Sequence, residues 1–436
     1  MRARVVTPES FDEAAEAVVA SAPHGLIARG AGRSYGDAAQ LSGGVVLDMT
    51  RLDRIVEVDA ERLLVRAQAG ATIDRMMAAL CDHGLTLPVV PGTRHVTLAG
   101  ALASDVHGKN HHRDGGFSRH VSSITIYTPA GGIVEIDADR DAELFYATLG
   151  GMGLTGVVLE ATLAVVPAAA QSVDEDVERT GDLDETLALV TADAGHRYCV
   201  AWLDMLATGR SYGRAIVSRA NLSDGSRAGR RAVTDGASYV APARLRVPSH
   251  VPNGVLAPSA VRAFNAARWR AAPRRRVRCA PFPNFLFPLD FVACWNRLYG
   301  SAGLLQYQAV IPSGCERELT ALFEMLRGAP VYLAVFKRFG PAFGGPLSFP
   351  LAGWTLAVDL PAAEGVTGLL DELDELVAGA GGRVYLSKDA RLRREHLAAM
   401  YPRLGEFSRV RQKVDPDGIL RSDLGARLGL SEPVVA

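Results

Sequence analysis

The chain has 436 residues, and 48% hydrophobic with 22% charged residues is the composition of a folded globular protein. Lysine plus arginine number 47 and aspartate plus glutamate 48, so the net charge is −1 and gives no overall electrostatic reason to bind nucleic acid. The length points to two or three domains, and Gly 44 with Pro 23 excludes collagen-like or disordered architectures.

Five scattered cysteines, Cys81, Cys199, Cys279, Cys294 and Cys315, form no C-x-x-C pair. That is the usage of a reducing compartment, with no readable disulfide framework or zinc site. The first residues run into a capped acidic helix beginning at Ser10, so no secretory leader is expected. No run approaches the roughly 18 apolar residues of a membrane span. The expected location is cytoplasmic, with room for peripheral contact at the inner membrane.

Short apolar runs at 25–29, 45–49, 54–58 and 63–67 are bounded by turn residues and predict strands. A helix is expected over 72–83, with Thr72 and Asp74 in its first turn and Gly84 at its end. Strands follow at 123–128, 133–136 and 156–166, and Pro167 with the alanines after it marks a boundary. From about Gln171 to Gly382 a second α+β region carries strands at 198–203, 304–311 and 354–360 and helices near 315–327 and 364–379. The residues after it read as a strand, a helix and a short capped segment.

Between Ser226 and Cys279 lie Arg227, Arg230, Arg231, Arg244, Arg246, Arg262, Arg268, Arg270, Arg274, Arg275, Arg276 and Arg278. Two readings stand: a solvated, partly mobile loop region, or a cationic surface for lipid phosphates. Nucleic acid is the weakest reading, because the only interleaved aromatics are Phe264 and Trp269.

Two segments are too rich in glycine and polar residues to be packing alone. Residues 28–37 read A-R-G-A-G-R-S-Y-G-D, directly after a strand. Gly30, Gly32 and Gly36 let the backbone approach a ligand and turn its N–H groups outward, as in phosphate cradles. The spacing G-x-G-x-x-x-G is not the dinucleotide fingerprint. Residues 91–112 then pass from Gly92 through small residues, which allow close passage beside a flat ligand. They end in a crowded polar cluster: Asp105, His107, Lys109, Asn110, His111 and His112. A metal site is disfavoured there, since Gly108 breaks any helix and no i, i+4 pair sits on an established face. A third segment contains G-x-G-x-x-G from Gly151, but it precedes a strand instead of opening a helix, so it is a decoy.

These segments resemble the vanillyl-alcohol-oxidase type of FAD-binding flavoprotein. H-G-K-N-H-H from His107 is similar to the decaprenylphosphoryl-ribose 2-oxidase branch of that family. The likeness continues through Gln306 and Gln308, Val335-Phe-Lys, Tyr385-Leu-Ser-Lys-Asp and Arg411-Gln-Lys-Val-Asp-Pro, so it spans nearly the whole chain. It implies a two-domain α+β fold, with an FAD domain from both chain ends (1–169 and 383–436) and an inserted antiparallel-sheet substrate domain (170–382). By motif position Arg29, Gly30, Ala31, Gly32, Arg33, Ser34, Tyr35 and Gly36 wrap the cofactor pyrophosphate. Gly92, Thr93, Thr97, Gly100, Ser104, His107, Val158 and Tyr385 complete the FAD site. Covalent relatives carry histidine where this chain has Arg33, so FAD is expected to be non-covalent.

The resemblance further implies oxidation of the 2-hydroxyl of a polyprenylphosphoryl ribofuranose, the first half of epimerisation to an arabinose donor for cell-envelope polysaccharide. A separate NAD(P)H-dependent short-chain reductase would complete it. Lys388, Tyr385 and His107 are the expected catalytic residues. Lys109, Trp202, Gln306, Gln308, Lys337 and Lys388 are expected to bind substrate. The alternative is oxidation of a soluble sugar, alditol, aldonolactone or nucleoside on the same scaffold. Mycobacterial relatives carry W-N-x-C-V-D where this chain reads Trp354-Thr-Leu-Ala-Val-Asp359, a departure expected to alter pocket polarity at Thr355 and to remove a thiol at Ala357.

Overall fold

A computed structural model describes residues 2–225, 239, 245–251, 256–301 and 303–431. Three sheets organise the site. Arg4–Val6, Val45–Asp48 and Leu26–Arg29 form a small parallel sheet, and Leu26 bridges Leu420 from the far end of the chain. A five-stranded antiparallel sheet follows in the order Ile55–Asp59, Leu64–Gln68, Val157–Ala164, Val121–Thr128, Gly132–Ile136. Helices Ile73–Cys81 and Leu98–Ala103 pack on it through Ile73, Met76, Leu80, Leu98 and Leu102, all buried. The first starts where Thr72 accepts from Arg75 N–H at 3.2 Å, a side-chain N-cap.

The third sheet has eight antiparallel strands, ordered Arg275–Pro281, Ser172–Arg179, Ala215–Leu222, Tyr198–Leu203, Leu333–Phe339, Gly353–Pro361, Leu304–Pro312, Arg383–Val384. Side chains alternate across such a sheet. Tyr307, Phe336, Leu356 and Val358 point to one face, against helices Glu316–Met325 and Val366–Gly379. Arg383–Val384 is the last strand of this sheet, so the chain leaves it after Val384 for the helices Arg394–Met400, Leu404–Val414 and Asp423–Leu428.

Four strands of the large sheet, Ser172–Arg179, Ala215–Leu222, Arg275–Pro281 and Leu333–Phe339, are not expected from the sequence. Ser172–Arg179 reads S-V-D-E-D-V-E-R, too acidic for a strand by propensity. Its partner explains it: Glu175 pairs in register with Arg278, and their charges meet at 2.7 Å. Asp176 meets Arg275 and Arg219, each at 2.9 Å. Cross-strand charge pairs are the unit that stabilises this edge.

The expectation of a partly mobile loop over 226–279 is thereby corrected for its described part. Arg262, Arg268 and Arg270 lie on the helix Pro258–Ala271, and Arg275, Arg276 and Arg278 on the strand Arg275–Pro281. Arg227, Arg230, Arg231 and Arg244 lie outside the described residues.

Candidate active site

The strand Leu26–Arg29 delivers the chain into the glycine loop. Among the described residues the backbone N–H groups of Gly30, Ala31, Gly32, Arg33 and Ser34 meet no protein acceptor. Consecutive free donors of this kind suit an anion. Tyr35 N–H then donates to Ser387 O at 3.0 Å. A Cβ on Gly36 would lie 1.7 Å from Asp389 O, so the loop can close on the C-terminal segment only with glycine there. Arg427 locks the joint, donating to the Asp37 carboxylate at 2.8 and 3.0 Å and to Asp389 at 2.8 Å.

Across from the loop, Thr97 caps Leu98–Ala103 by accepting from Gly100 N–H at 3.3 Å. A Cβ on Gly30 would lie 1.9 Å from Thr97 Oγ1, so loop and helix start meet through a missing side chain.

A cavity of about 840 Å³ runs from this contact to the eight-stranded sheet. Arg29 through Tyr35 form one wall, with Gly92, Thr93, Thr97 and Gly100 beside them and Ser104 and Val158 further along. At the other end stand His107, Gln306, Gln308, Lys337, Tyr385 and Lys388. Three expected site residues lie outside the lining. Gly36 is spent on the Asp389 contact described above. Lys109 donates to Phe285 O and, at 3.3 Å, to Leu286 O, pinning its own loop to the helix Phe282–Leu286. Trp202 is covered by the Arg268 guanidinium, 4.7 Å from its ring centre.

The sheet end is built by alternation. Gln306 and Gln308, Val335 and Lys337, and Thr355, Ala357 and Asp359 share the face opposite the helices, in register. Burial lowers Lys337 to about 8. Burial, with the charge of Lys337, lowers Lys388 to about 7, and Asp359 opposes that fall. The Lys388 Nζ sits 3.8 Å from the centre of the Tyr35 ring. Asp359, raised by burial to about 6, accepts from the Gln306 amide and, at 3.4 Å, from the Tyr299 hydroxyl.

Gln308 donates to His107 Nε2 at 2.8 Å and to Thr355 Oγ1 at 3.2 Å. Burial first, then Lys337, His111 and Lys388, drives the His107 pKa well down, so its ring is neutral with the proton on Nδ1. That buried Nδ1 has no partner among the described residues. Tyr385 donates to Ser104 O at 2.8 Å and stacks on Phe349 at 4.7 Å. The histidines of the polar cluster diverge: His111 Nδ1 accepts from Gly340 N–H, and His112 Nε2 donates to His196 O, both at 3.1 Å.

These residues fit FAD. The unpaired N–H run at 30–34 matches a pyrophosphate, and the cavity that continues from it past Gly92, Gly100 and Val158 has room for the rest of the cofactor. The FAD binding domain family matches residues 3–137, and the D-arabinono-1,4-lactone oxidase family matches residues 365–428. The chain is 40% identical over 428 residues to the decaprenylphosphoryl-β-D-ribose oxidase of Mycolicibacterium smegmatis, covering 97% of this chain and 93% of that one. The chain belongs to the decaprenylphosphoryl-β-D-ribose oxidase family. As a member of that family it is an FAD-dependent oxidoreductase with a two-domain α+β fold. It is also 40% identical over 370 residues to an uncharacterised Streptomyces coelicolor protein encoded in the mprA 5′ region, covering 82% of this chain and all of that one. The likeness to L-galactono-1,4-lactone dehydrogenase of Brassica oleracea is more local: 33% over 126 residues, 29% of this chain and 21% of that one.

Sequence reasoning about this oxidase family member missed Asp359 and Tyr299 as parts of the site. Period-two alternation from Ala357 was the available signal for Asp359, since it assigns both to one face. Tyr299 had no such signal, because only folding brings its 3₁₀ turn Trp295–Tyr299 against that strand.

Proposed function

We propose that this enzyme oxidises the 2-hydroxyl of a polyprenylphosphoryl-β-D-ribofuranose to the 2-keto sugar. The observation that carries the reading is the single cavity joining the glycine loop to two half-buried lysines. FAD, bound non-covalently at the loop, supplies the acceptor for the two electrons. Everything else falls to the chain's own groups. Lys388 holds the reacting hydroxyl, and its amine takes the hydroxyl proton. A lysine near neutrality does this at physiological pH, whereas an ordinary surface lysine stays charged. Asp359 and Tyr35 orient Lys388 from either side. Lys337, with Gln306 and Gln308, binds the sugar and its phosphate, the lysine acting as a point charge. Tyr385 and neutral His107 form the wall beside the cofactor.

The keto product then passes to a separate NAD(P)H-dependent short-chain reductase, which returns the hydroxyl with inverted configuration. Because the substrate is lipid-linked, the enzyme works in peripheral contact with a membrane. Anaerobic mixing of the FAD-loaded protein with a polyprenylphosphoryl riboside should bleach the flavin, while soluble sugars, alditols, nucleosides and aldonolactones should not. Bleaching by a soluble sugar or lactone alone would overturn the reading. Denaturation should release all of the FAD, because Arg33 stands where covalent relatives carry histidine. Flavin left on the precipitated chain would contradict that assignment.

A further inference from the structure

The open side of the cavity has a composition that the oxidation does not explain. Leu245–Arg246 runs parallel to Val292–Ala293, and Leu245 N–H donates to Phe291 O at 3.1 Å. Arg246, Leu289, Val292 and Ala293 line the cavity, so this ribbon is its rim. Large apolar side chains gather there: Leu245 is 61% exposed, Phe291 49% and Leu289 42%. Grouped apolar exposure marks a contact surface, whereas isolated exposed leucines need no explanation. Arg246 stands among them with no carboxylate partner among the described residues.

A cavity of about 840 Å³ is of the size that encloses one sizeable ligand. Cofactor and phosphoribose together need more room than one such ligand, so a prenyl chain has to leave across the rim. We propose that Leu245, Leu289 and Phe291 insert into an anionic lipid leaflet, with Arg246 at the level of its phosphates. The bilayer then lies against the mouth of the site. The inference rests on the lipid-linked substrate proposed above.

The arginine-rich face is the weaker docking surface. Arg275 and Arg278 are already paired with Asp176 and Glu175. The strand that carries them is the far edge of the sheet. Three strands separate it from Leu333–Phe339, the first to reach the cavity. Lipid held there would not feed the site.

The test uses full-length, FAD-loaded protein and vesicles of equal phosphatidylglycerol and phosphatidylcholine. Wild type should co-sediment. L245S/F291S should bind about tenfold less or worse, the effect of removing two inserted apolar side chains. R246Q should bind about fivefold less at low salt, and this deficit should fade as salt rises. Neither Leu245 nor Phe291 lines the cavity, so L245S/F291S should still be bleached at the wild-type rate by a short-chain, water-soluble prenylphosphoryl riboside. Equal sedimentation of wild type and L245S/F291S, or none by wild type, overturns the rim. Failure of the short-chain riboside to bleach wild type overturns the substrate reading instead, and the sedimentation result still decides the rim. If L245S/F291S loses its FAD, Phe291→Trp replaces it: blue-shifted emission on adding vesicles supports the rim, and unshifted emission overturns it.

Discussion

The two ends of the cavity are built from opposite materials. The loop end is backbone: five N–H groups in sequence, with glycines at 30 and 36 where a side chain would collide with Thr97 or Asp389. The sheet end is side chain: two lysines, two glutamines and an aspartate drawn from three strands and the C-terminal segment. A backbone cradle needs only a short local sequence and holds a cofactor that every turnover shares. A side-chain cluster needs a tertiary fold, and burial then changes its chemistry. Lys388 and Lys337 lie below the usual lysine range because burial disfavours the charged amine. On the proposed function, the loop end governs whether flavin is held, and the sheet end governs whether held flavin is reduced.

That division can be broken by experiment. Lys388→Ala should leave the flavin spectrum close to wild type and slow substrate-driven bleaching by about 10²–10⁴-fold, the usual range for lost proton transfer. A variant reduced within tenfold of wild type would put Lys388 outside the chemistry. Gly36→Ala should do the reverse. Its Cβ meets a backbone carbonyl, so overpacking should destabilise the fold by about 1–3 kcal/mol and lower the FAD recovered on purification. Thermal unfolding and flavin-to-protein absorbance measure both, and full FAD occupancy with unchanged melting would remove the close-packing argument.

The pH dependence sharpens the sheet end. With Lys388 at about 7, about a tenth of it is free amine at pH 6 and about nine tenths at pH 8. Single-turnover bleaching should therefore rise about tenfold over that interval and level off above it. Asp359 raises the Lys388 pKa, so Asp359→Asn should move the midpoint to lower pH, and movement to higher pH would reverse the assigned sign. The smallest effect is expected at Thr355→Asn, the exchange toward the mycobacterial motif that the resemblance suggests. It exchanges one neutral hydrogen bond to Gln308 for another, so the rate should change by no more than about threefold. A larger change in stopped-flow bleaching would make Thr355 a determinant of specificity.

Legibility in the sequence followed the same line. The glycine loop, the Thr97 cap and the strands around them were readable because each depends on neighbours a few residues away. Gln306, Gln308, Lys337 and Lys388 were reachable through family likeness, and the cavity brings all four together. Lys109 and Trp202 look equally suitable as letters, yet the fold turns one onto Phe285 O and covers the other with Arg268. The arginine run misled in part, because its partner strand is acidic and lies about a hundred residues earlier.

The sequence by itself determined the glycine loop and many of the alternating strands, since backbone conformation and period-two patterning are local properties, and its resemblance to a flavoprotein family implied the cofactor class. Only the tertiary structure decided which charges remain active. Burial is set by what packs around a side chain from distant segments, so it made Lys388 and Asp359 titrate near neutrality. The same packing tied Arg275 and Arg278 into ion pairs and left Arg246 at the rim among exposed apolar side chains.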